Sequence, residues 1–333
     1  MTCRLGFLEI LKTKPPGETD EKVCRFIRQF EAKLIVRMLP EFDVWIRRNM
    51  KSILLFDTAI VSDTKHLTTE GVLMMSLLLE VARCKHVENC LNSAQPQNKC
   101  NQIIQYQEKT LDHFQVPEPW SGNLKTAPIL FFGSNPSIST SDKPEYQEKY
   151  PRGSWSDSEI EDFFSNRFGG GKEPWIKDGI YTLLESGDHK KKHVRYLAAI
   201  RKRAKEILGR PVEPGKDYVN SEVVHCKSKG EYGVKDASET CIELYLRRII
   251  AESGAKVIVC LGDFAERAVR KEFGIFGTSE PISIREIERL FVFLPHPNAR
   301  KSRKFSLTDI ERIREFLEIG PNQILGLKRG ELE

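Results

Sequence analysis

The chain of 333 residues is 40% hydrophobic and carries 52 basic and 47 acidic side chains, which give a formal net charge of +5. This length is ample for a buried core and predicts one domain of about 200 residues with an additional segment. The longest apolar block, residues 71–82, is interrupted by Ser76 and Glu80 and is shorter than the ~20 residues that span a bilayer. We therefore expect no membrane span, and so mild a charge does not by itself indicate a nucleic-acid partner.

The first residues, Thr2, Cys3 and Arg4, do not lead into the apolar core and small-residue cleavage site of a signal peptide, which favours a cytoplasmic location. In that compartment the eight cysteines are expected to be thiols or metal ligands rather than disulfides.

Apolar positions at helical spacing in residues 23–39 and 71–82 predict a helical N-terminal extension over residues 1–95. Residues 96–127 are polar and are typical of a linker or a loop that wraps into the next unit. The predicted main domain covers residues 96–325.

Four short apolar runs alternate with helical segments in the main domain. They cover residues 128–132, 218–225, 255–262 and 288–295. This alternation predicts an α/β fold with a parallel sheet covered on both faces, in which ligands bind beyond the carboxyl ends of the strands. Since Asn135, Glu222 and His296 come at or near those ends, we expect an amide, a carboxyl group and an imidazole to meet at one edge of the sheet.

The sequence at these strand ends resembles the uracil-DNA glycosylase superfamily, over roughly residues 84–320. The resemblance rests on Gly133-Ser-Asn-Pro-Ser137, Glu222-Val-Val-His-Cys226, Lys256-Val-Ile-Val-Cys-Leu-Gly262 and Leu294-Pro-His-Pro-Asn298. Ser137 and Asn298 depart from the family's Gly-x-Asn-Pro-Gly and His-Pro-Ser motifs. The resemblance implies a three-layer α/β/α fold with a central four-stranded parallel sheet. It also implies a monofunctional DNA glycosylase, which leaves an abasic site.

Breaking an N-glycosidic bond produces an oxocarbenium-like sugar and an anionic base. His296 can stabilise the developing oxyanion of the base, and Asn135, by resemblance, positions the attacking water. An amide is a poor base, so Asn135 orients the water rather than deprotonates it. The alternative is that Asn135 is a turn residue and His296 merely ends a strand.

The target base has to leave the duplex, and a flipped base normally stacks on an aromatic ring. The long aromatic segment 139–171 lies just beyond Asn135, and a segment of that length is usually functional. Tyr150, Trp155 and Phe168 are the predicted stacking residues, although each could equally belong to the core.

Glu222 stands where the iron–sulfur branch of the family has an asparagine that binds uracil. An ionised carboxylate accepts hydrogen bonds but cannot donate to uracil O4, and it suits the N4 amino group of cytosine. Because excision of ordinary cytosine would be lethal, we predict a hydroxymethylated or glycosylated cytosine, as in phage DNA, and hence an antiviral defence role. Asn220 on the same strand face could instead bind the base, which would restore a uracil-DNA glycosylase of base excision repair.

The spacing of Cys226 and Cys241 is close to that of the last two cluster ligands in the iron–sulfur branch. Cys90 and Cys100, with Cys84 as a substitute, could complete a [4Fe–4S] site, which the chemistry itself does not require. Zinc held by Cys84, His86, Cys90 and Cys100 is the alternative.

The resemblance places Asn298 in a loop that enters the minor groove, with Arg300, Lys301 and Arg303 on the DNA backbone. A second basic stretch, residues 189–205, is either a further phosphate contact or a solvated helix face. We expect a monomer that binds DNA. The competing hypotheses are a non-catalytic nucleic-acid-binding relative and an unrelated α/β enzyme acting on a nucleotide-like ligand.

Overall fold

The computed structural model describes residues 75–92, 97–107, 110–138, 143, 146–169, 173–277, 280–297 and 306–318. Most of the predicted extension 1–95 lies outside the described residues. The predicted DNA contacts Asn298, Arg300, Lys301 and Arg303 lie outside them as well, so their role stays a prediction.

The described residues form a six-stranded, mostly parallel sheet. Its strands are β1 (Trp120–Ser121), β2 (Ile129–Gly133), β5 (Tyr218–Glu222), β6 (Val257–Leu261), β7 (Ile282–Ile284) and β8 (Ile287–Leu294). Their order across the sheet is β1-β5-β2-β6-β8-β7, in which the four middle strands run parallel and the two edge strands run antiparallel to their neighbours. The strands β3 (Ile176–Lys177) and β4 (Tyr181–Thr182) form a separate pair.

The predicted α/β class is confirmed, but the sheet has six strands rather than the four expected. Neither edge strand has the buried apolar run by which the middle strands were predicted. β1 has only two residues, and β7 is joined to β8 by a tight hairpin turn at Arg285 and Glu286, whose φ angles are 49° and 66°. Two consecutive left-handed residues are the hairpin geometry that twisted strands prefer.

Side chains of the middle strands are buried on both faces of the sheet. Every residue of β2 and of β6 is buried, as in parallel strands that are covered on both sides. Leu130 and Phe132 belong to the larger of two buried clusters, whereas Ile129 and Phe131 belong to the smaller one. This alternation follows from the two-residue period of a strand.

The helices divide between these two clusters. The helices are α1 (Leu77–Ala82), α2 (Lys85–Asn92), α3 (Asn101–Gln107), α4 (Asp157–Ser165), α5 (Arg195–Leu208), α6 (Val234–Cys241), α7 (Arg247–Glu252), α8 (Asp263–Phe273) and α9 (Leu307–Phe316), with a π-helix (Ile242–Leu246) between α6 and α7. Buried residues of α5 and α9 belong to the smaller cluster, and those of the others to the larger one. Because α1 and α2 precede residue 96, the core of the sheet continues into the segment predicted as an extension. None of the described helices has the length and apolar character needed to cross a membrane.

Strand register fixes which residues meet at the carboxyl edge. Gly133 at the end of β2 pairs with Glu222 at the end of β5, and Leu261 of β6 pairs with Leu294 of β8. The four parallel strands therefore end side by side, and the segments that follow them lie at one edge of the sheet.

Candidate active site

A cavity of about 330 Å³ opens at this carboxyl edge. Asn135, Glu222 and His296, which were predicted to meet here, all line it, and Asn220 lines it too. Its volume falls within the range of roughly 300–1,000 Å³ that is usual for small-molecule sites. The parallel arrangement therefore brings together residues that lie up to 161 positions apart in the sequence.

Asn135 is held by the loop that follows β5. Its side-chain nitrogen donates to the backbone oxygen of Pro136 and to Oγ of Ser228, each at 2.9 Å. The backbone N–H of Ser228 in turn donates to the oxygen of Pro136 at 3.0 Å. Because both amide hydrogens of Asn135 are engaged, its carbonyl Oδ1 is the atom that can bind a water molecule.

His296 follows β8 and is half-buried. A β-carbon on Gly262 would lie 3.0 Å from the β-carbon of His296, so this glycine leaves space for the histidine. The imidazole stacks on the ring of Tyr196, with the ring centres 5.6 Å apart. Burial lowers the pKa of His296, with partial opposition from Glu231, and the ring is therefore neutral near pH 7.

Glu222 is buried at the end of β5, in surroundings that favour the protonated, neutral form of its carboxyl group. Burial, and then the charge of Glu118, raise the pKa of Glu222 well above the usual value, although the hydroxyl of Tyr196 and the charge of Arg167 act in the opposite direction. The sequence, which shows neither burial nor neighbouring acids, favoured an ionised carboxylate, whereas these surroundings favour the neutral form. A neutral carboxyl group can both donate and accept a hydrogen bond.

The carboxyl group of Glu222 has a defined orientation. The hydroxyl of Tyr196 donates to Oε1 at 3.2 Å, while Oε2 is buried and has no hydrogen-bond partner within the described part of the chain. A β-carbon on Gly133 would lie 2.1 Å from this Oε2 and 2.3 Å from the hydroxyl of Tyr196, so a larger residue would have to displace both side chains. Asn220, two residues earlier on the same face of β5, likewise has a buried Oδ1 without a described partner.

The predicted stacking residues do not line the cavity. Tyr150 is buried against Phe163 and Phe164, and its hydroxyl donates to Glu118 at 3.4 Å. Trp155 packs on Phe163, with ring centres 6.1 Å apart. Their apolar rings instead complete the core.

The third predicted stacking residue, Phe168, contacts Tyr218 at 6.3 Å between ring centres and lines a different cavity. Within the described residues, the aromatic side chains that do line the active-site cavity are Tyr196 and His296. The sequence placed Tyr196 in a basic helix, and nothing in that pattern distinguished it.

A buried group of charged side chains also lines the cavity and was missed from the sequence. Arg167 forms an ion pair with Glu118 and donates to Glu148 at 3.2 Å. Lys227 lies 3.9 Å from Glu148, with its ammonium group 3.5 Å from the centre of the Tyr150 ring. These residues come from four separate segments, and none of the sequence motifs contains them.

These ion pairs keep the charges of the group in place. Although burial acts to raise the pKa of Glu118, the charges of Arg167 and Lys227 hold it below the usual value. Burial lowers the pKa of Lys227, against the opposing charges of Glu148 and Glu118.

Six cysteine side chains are buried in the larger cluster, and five of them lie outside the strands of the sheet: Cys84, Cys90, Cys100, Cys226 and Cys241. Burial raises the pKa of Cys226, and the charges of the four other thiols raise it further, so the five groups are electrostatic neighbours. Among the described residues no group of three or more His, Cys, Asp or Glu side chains is placed to hold a metal ion, so the structure favours neither the iron–sulfur cluster nor the zinc alternative.

No model of a known protein family matches the chain, and no curated protein matches its sequence.

Proposed function

We propose that the protein is a monofunctional DNA glycosylase that hydrolyses the N-glycosidic bond of a flipped, non-standard pyrimidine. The observation that carries this proposal is the convergence of Asn135, Glu222 and His296 on one cavity at the carboxyl edge of a parallel sheet. The cavity supplies a water-binding amide, a neutral imidazole and a carboxyl group suited to the edge of a base. The resemblance to the uracil-DNA glycosylase superfamily, with its three-layer fold, supports the same reading.

Asn135 and His296 act on opposite sides of the bond that breaks. Oδ1 of Asn135 accepts a hydrogen bond from water and aligns it with C1′ of the deoxyribose. As the C1′–N1 bond breaks, its electron pair moves into the base, and negative charge develops on O2. The neutral His296 donates an N–H hydrogen bond to this oxygen, an interaction that in comparable oxyanion sites contributes about 3–4 kcal/mol.

Glu222 binds the Watson–Crick edge of the base. With cytosine, its O–H group donates to N3 and its carbonyl oxygen accepts from the N4 amino group. With uracil, the same neutral group donates to O4 and accepts from N3–H. The charge argument for cytosine therefore does not hold for a neutral carboxyl group, and both pyrimidines are complementary to it.

The proton of Glu222 favours cytosine because of the chemistry of the leaving group, not because of hydrogen-bond complementarity. Cytosine is the poorer leaving group, and proton transfer from Glu222 to N3 lets it depart as a neutral base. This transfer leaves a carboxylate, which the proton released by the attacking water restores through solvent. A 5-hydroxymethylated or glycosylated cytosine remains the leading substrate, with defence against phage DNA as the role. Uracil in base excision repair is the alternative.

Two described lysines, Lys190 and Lys227, line the cavity, and a lyase step would need one of them as its nucleophile. The ammonium group of Lys227 is held over the ring of Tyr150 and near Glu148, which supports a hydrolytic enzyme without a Schiff base at this residue. Borohydride added during turnover should therefore trap no covalent protein–DNA complex.

A [4Fe–4S] cluster belongs to the proposal as a structural element. Cys90, Cys100, Cys226 and Cys241 would hold it, with Cys84 as the substitute ligand. When bound, the cluster would tie α2, α3 and α6 to the loop after β5 through thiolate bonds.

A panel of duplexes tests the proposed activity. Each contains one uracil, cytosine, 5-hydroxymethylcytosine or glycosylated 5-hydroxymethylcytosine, and abasic sites are scored by alkaline cleavage. We expect cleavage at a substituted cytosine, and a loss of at least ~100-fold in Asn135→Ala and in His296→Ala. Cleavage at uracil alone would replace the cytosine proposal with the repair function. Duplex binding with no abasic sites in any substrate would favour the non-catalytic relative.

A further inference from the structure

We propose that one side of the cavity is a binding site for a neutral, polyhydroxylated group attached to the flipped pyrimidine. This side, called the polar wall, is formed by Glu118, Glu148, Arg167, Thr182, Lys190 and Lys227. The inference rests on the proposed function, because it takes the base itself to be bound at Glu222. It adds to that function a separate site for the substituent.

The polar wall begins directly beside Glu222. The charges of Glu118 and Arg167 both act on the carboxyl group of Glu222, so the base edge and the wall are neighbours within one cavity. A substituent at C5 of cytosine leaves the ring next to the N4 edge that Glu222 binds. Such a substituent would therefore extend toward the polar wall.

The polar wall contains buried atoms that lack a partner. Oγ1 of Thr182 and Nε of Arg167 are buried without a hydrogen bond to any described residue, and both side chains are more than nine-tenths buried. Buried polar atoms are nearly always paired in folded proteins, and each unpaired one costs about 1–3 kcal/mol. A polar ligand in the cavity that reached Thr182 and Arg167 would supply these missing hydrogen bonds.

The charges of the polar wall are costly to bury and add little to folding. Arg167 is 5% exposed, Glu118 5% and Lys227 2%. Apolar side chains of similar volume are often as stabilising as a buried ion pair. A binding role accounts for this network better than a stabilising one.

The composition of the polar wall selects the ligand. The polar wall has two carboxylates, Glu118 and Glu148, and three cations, of which Arg167 and Lys227 already lie beside those carboxylates. A phosphate or carboxylate ligand would therefore meet two negative groups as well as the cations. An apolar substituent such as a methyl group would leave the polar atoms of Thr182 unpaired. Hydroxyl groups both donate and accept, and several of them on one neutral group would bind carboxylates, cations and the threonine together. A sugar has this chemistry.

Two variants test the polar wall without removing a buried ion pair. Thr182→Val keeps the side-chain shape and deletes the unpaired hydroxyl, and Lys190→Gln removes a half-buried cation. Thr126→Val and Lys177→Gln, at exposed positions away from the cavity, are the matched controls. The substrates are duplexes with 5-hydroxymethylcytosine or with its β-glucosylated form, and both kcat/KM for excision and Kd for the duplex are measured.

We expect Thr182→Val to lower kcat/KM for the glucosylated duplex about tenfold, because one hydrogen bond is lost. The same variant should change kcat/KM for the 5-hydroxymethylcytosine duplex by less than about twofold. Lys190→Gln should show the same selectivity. An equal effect on both duplexes, or no effect on either, overturns the inference. If Thr182→Val does not fold, as judged by circular dichroism, Lys190→Gln alone decides between these outcomes.

The two measurements separate this inference from the proposed function. If no duplex yields abasic sites, the glycosylase proposal fails, but a glucose-dependent Kd that Thr182→Val abolishes still supports the polar wall. The opposite outcome is that wild-type protein excises uracil or 5-hydroxymethylcytosine, but the glucose improves neither kcat/KM nor Kd. In that case the proposed binding role of the polar wall is refuted and the glycosylase proposal stands.

Discussion

Replacement of Glu222 by glutamine gives a sharp test of the neutral carboxyl group. Glutamine has nearly the same shape, keeps an oxygen for the Tyr196 hydroxyl and has no proton to lose in this pH range. Burial and Glu118 raise the pKa of Glu222 in the folded protein, whereas the same carboxyl group in the unfolded chain titrates at about 4.3. The unfolded state therefore loses the proton first as the pH rises.

The sign of the effect on stability follows from this difference. Below the unfolded-state pKa, the protonated carboxyl group makes its full contribution to the free energy of unfolding of the wild-type protein. Stability is then lost at about 1.4 kcal/mol per pH unit, until the pH passes the raised folded-state pKa of Glu222. Glu222→Gln does not lose stability in this way, so its free energy of unfolding should increase relative to that of the wild type between pH 5 and pH 7.

Urea unfolding at pH 5, 6 and 7 measures this difference through the midpoint and slope of each transition. The matched control is Glu288→Gln, which removes an exposed carboxyl group from β8 and should keep the pH dependence of the wild type. If Glu222→Gln and the wild type show parallel pH dependence, the carboxyl group is ionised in the folded protein and the assignment is refuted.

Four further predictions concern the active site and the cysteines. Excision of a substituted cytosine should decline as the pH rises through the raised pKa of Glu222, because the acidic proton is lost; a pH profile of kcat with unchanged activity would contradict the proton transfer. Tyr196→Phe removes the 3.2 Å bond to Glu222 and should lower kcat/KM about tenfold, while the protein stays folded by circular dichroism. Gly133→Ala places a β-carbon 2.1 Å from Oε2 of Glu222 and should abolish excision; activity near that of the wild type would show that the carboxyl group moves freely. Cys226→Ala should reduce the iron and sulfide content of anaerobically purified protein, as measured by elemental analysis, whereas Cys260→Ala, at a buried position within β6, should not.

The larger part of the proposed mechanism depends on groups that are neutral because they are buried. His296 can donate a hydrogen bond without charge, and Glu222 can offer both a donor and an acceptor to a base. Both properties follow from the loss of solvent around the side chains. A cavity that holds two neutral acid–base groups beside a wall of paired charges is suited to a neutral base with a neutral substituent.

The sequence by itself determined the middle of the sheet and the positions of its strand ends. Uninterrupted apolar runs such as β2 and β6 are stable only when both faces are covered, so their pattern specifies parallel, buried strands. Polar residues directly after such strands have to lie at the carboxyl edge. For this reason Asn135, Glu222 and His296 could be predicted to meet.

Only the tertiary structure decided the ionisation of Glu222, the placement of the aromatic residues and the existence of the polar wall. The charge state of Glu222 depends on Glu118, which is 104 positions away and close only after folding. Tyr150 and Trp155 have the same amphipathic character in a core as at a ligand, so composition could not distinguish the two. The polar wall is assembled from separate segments, and its electrostatics depend on distances and burial that no local pattern records.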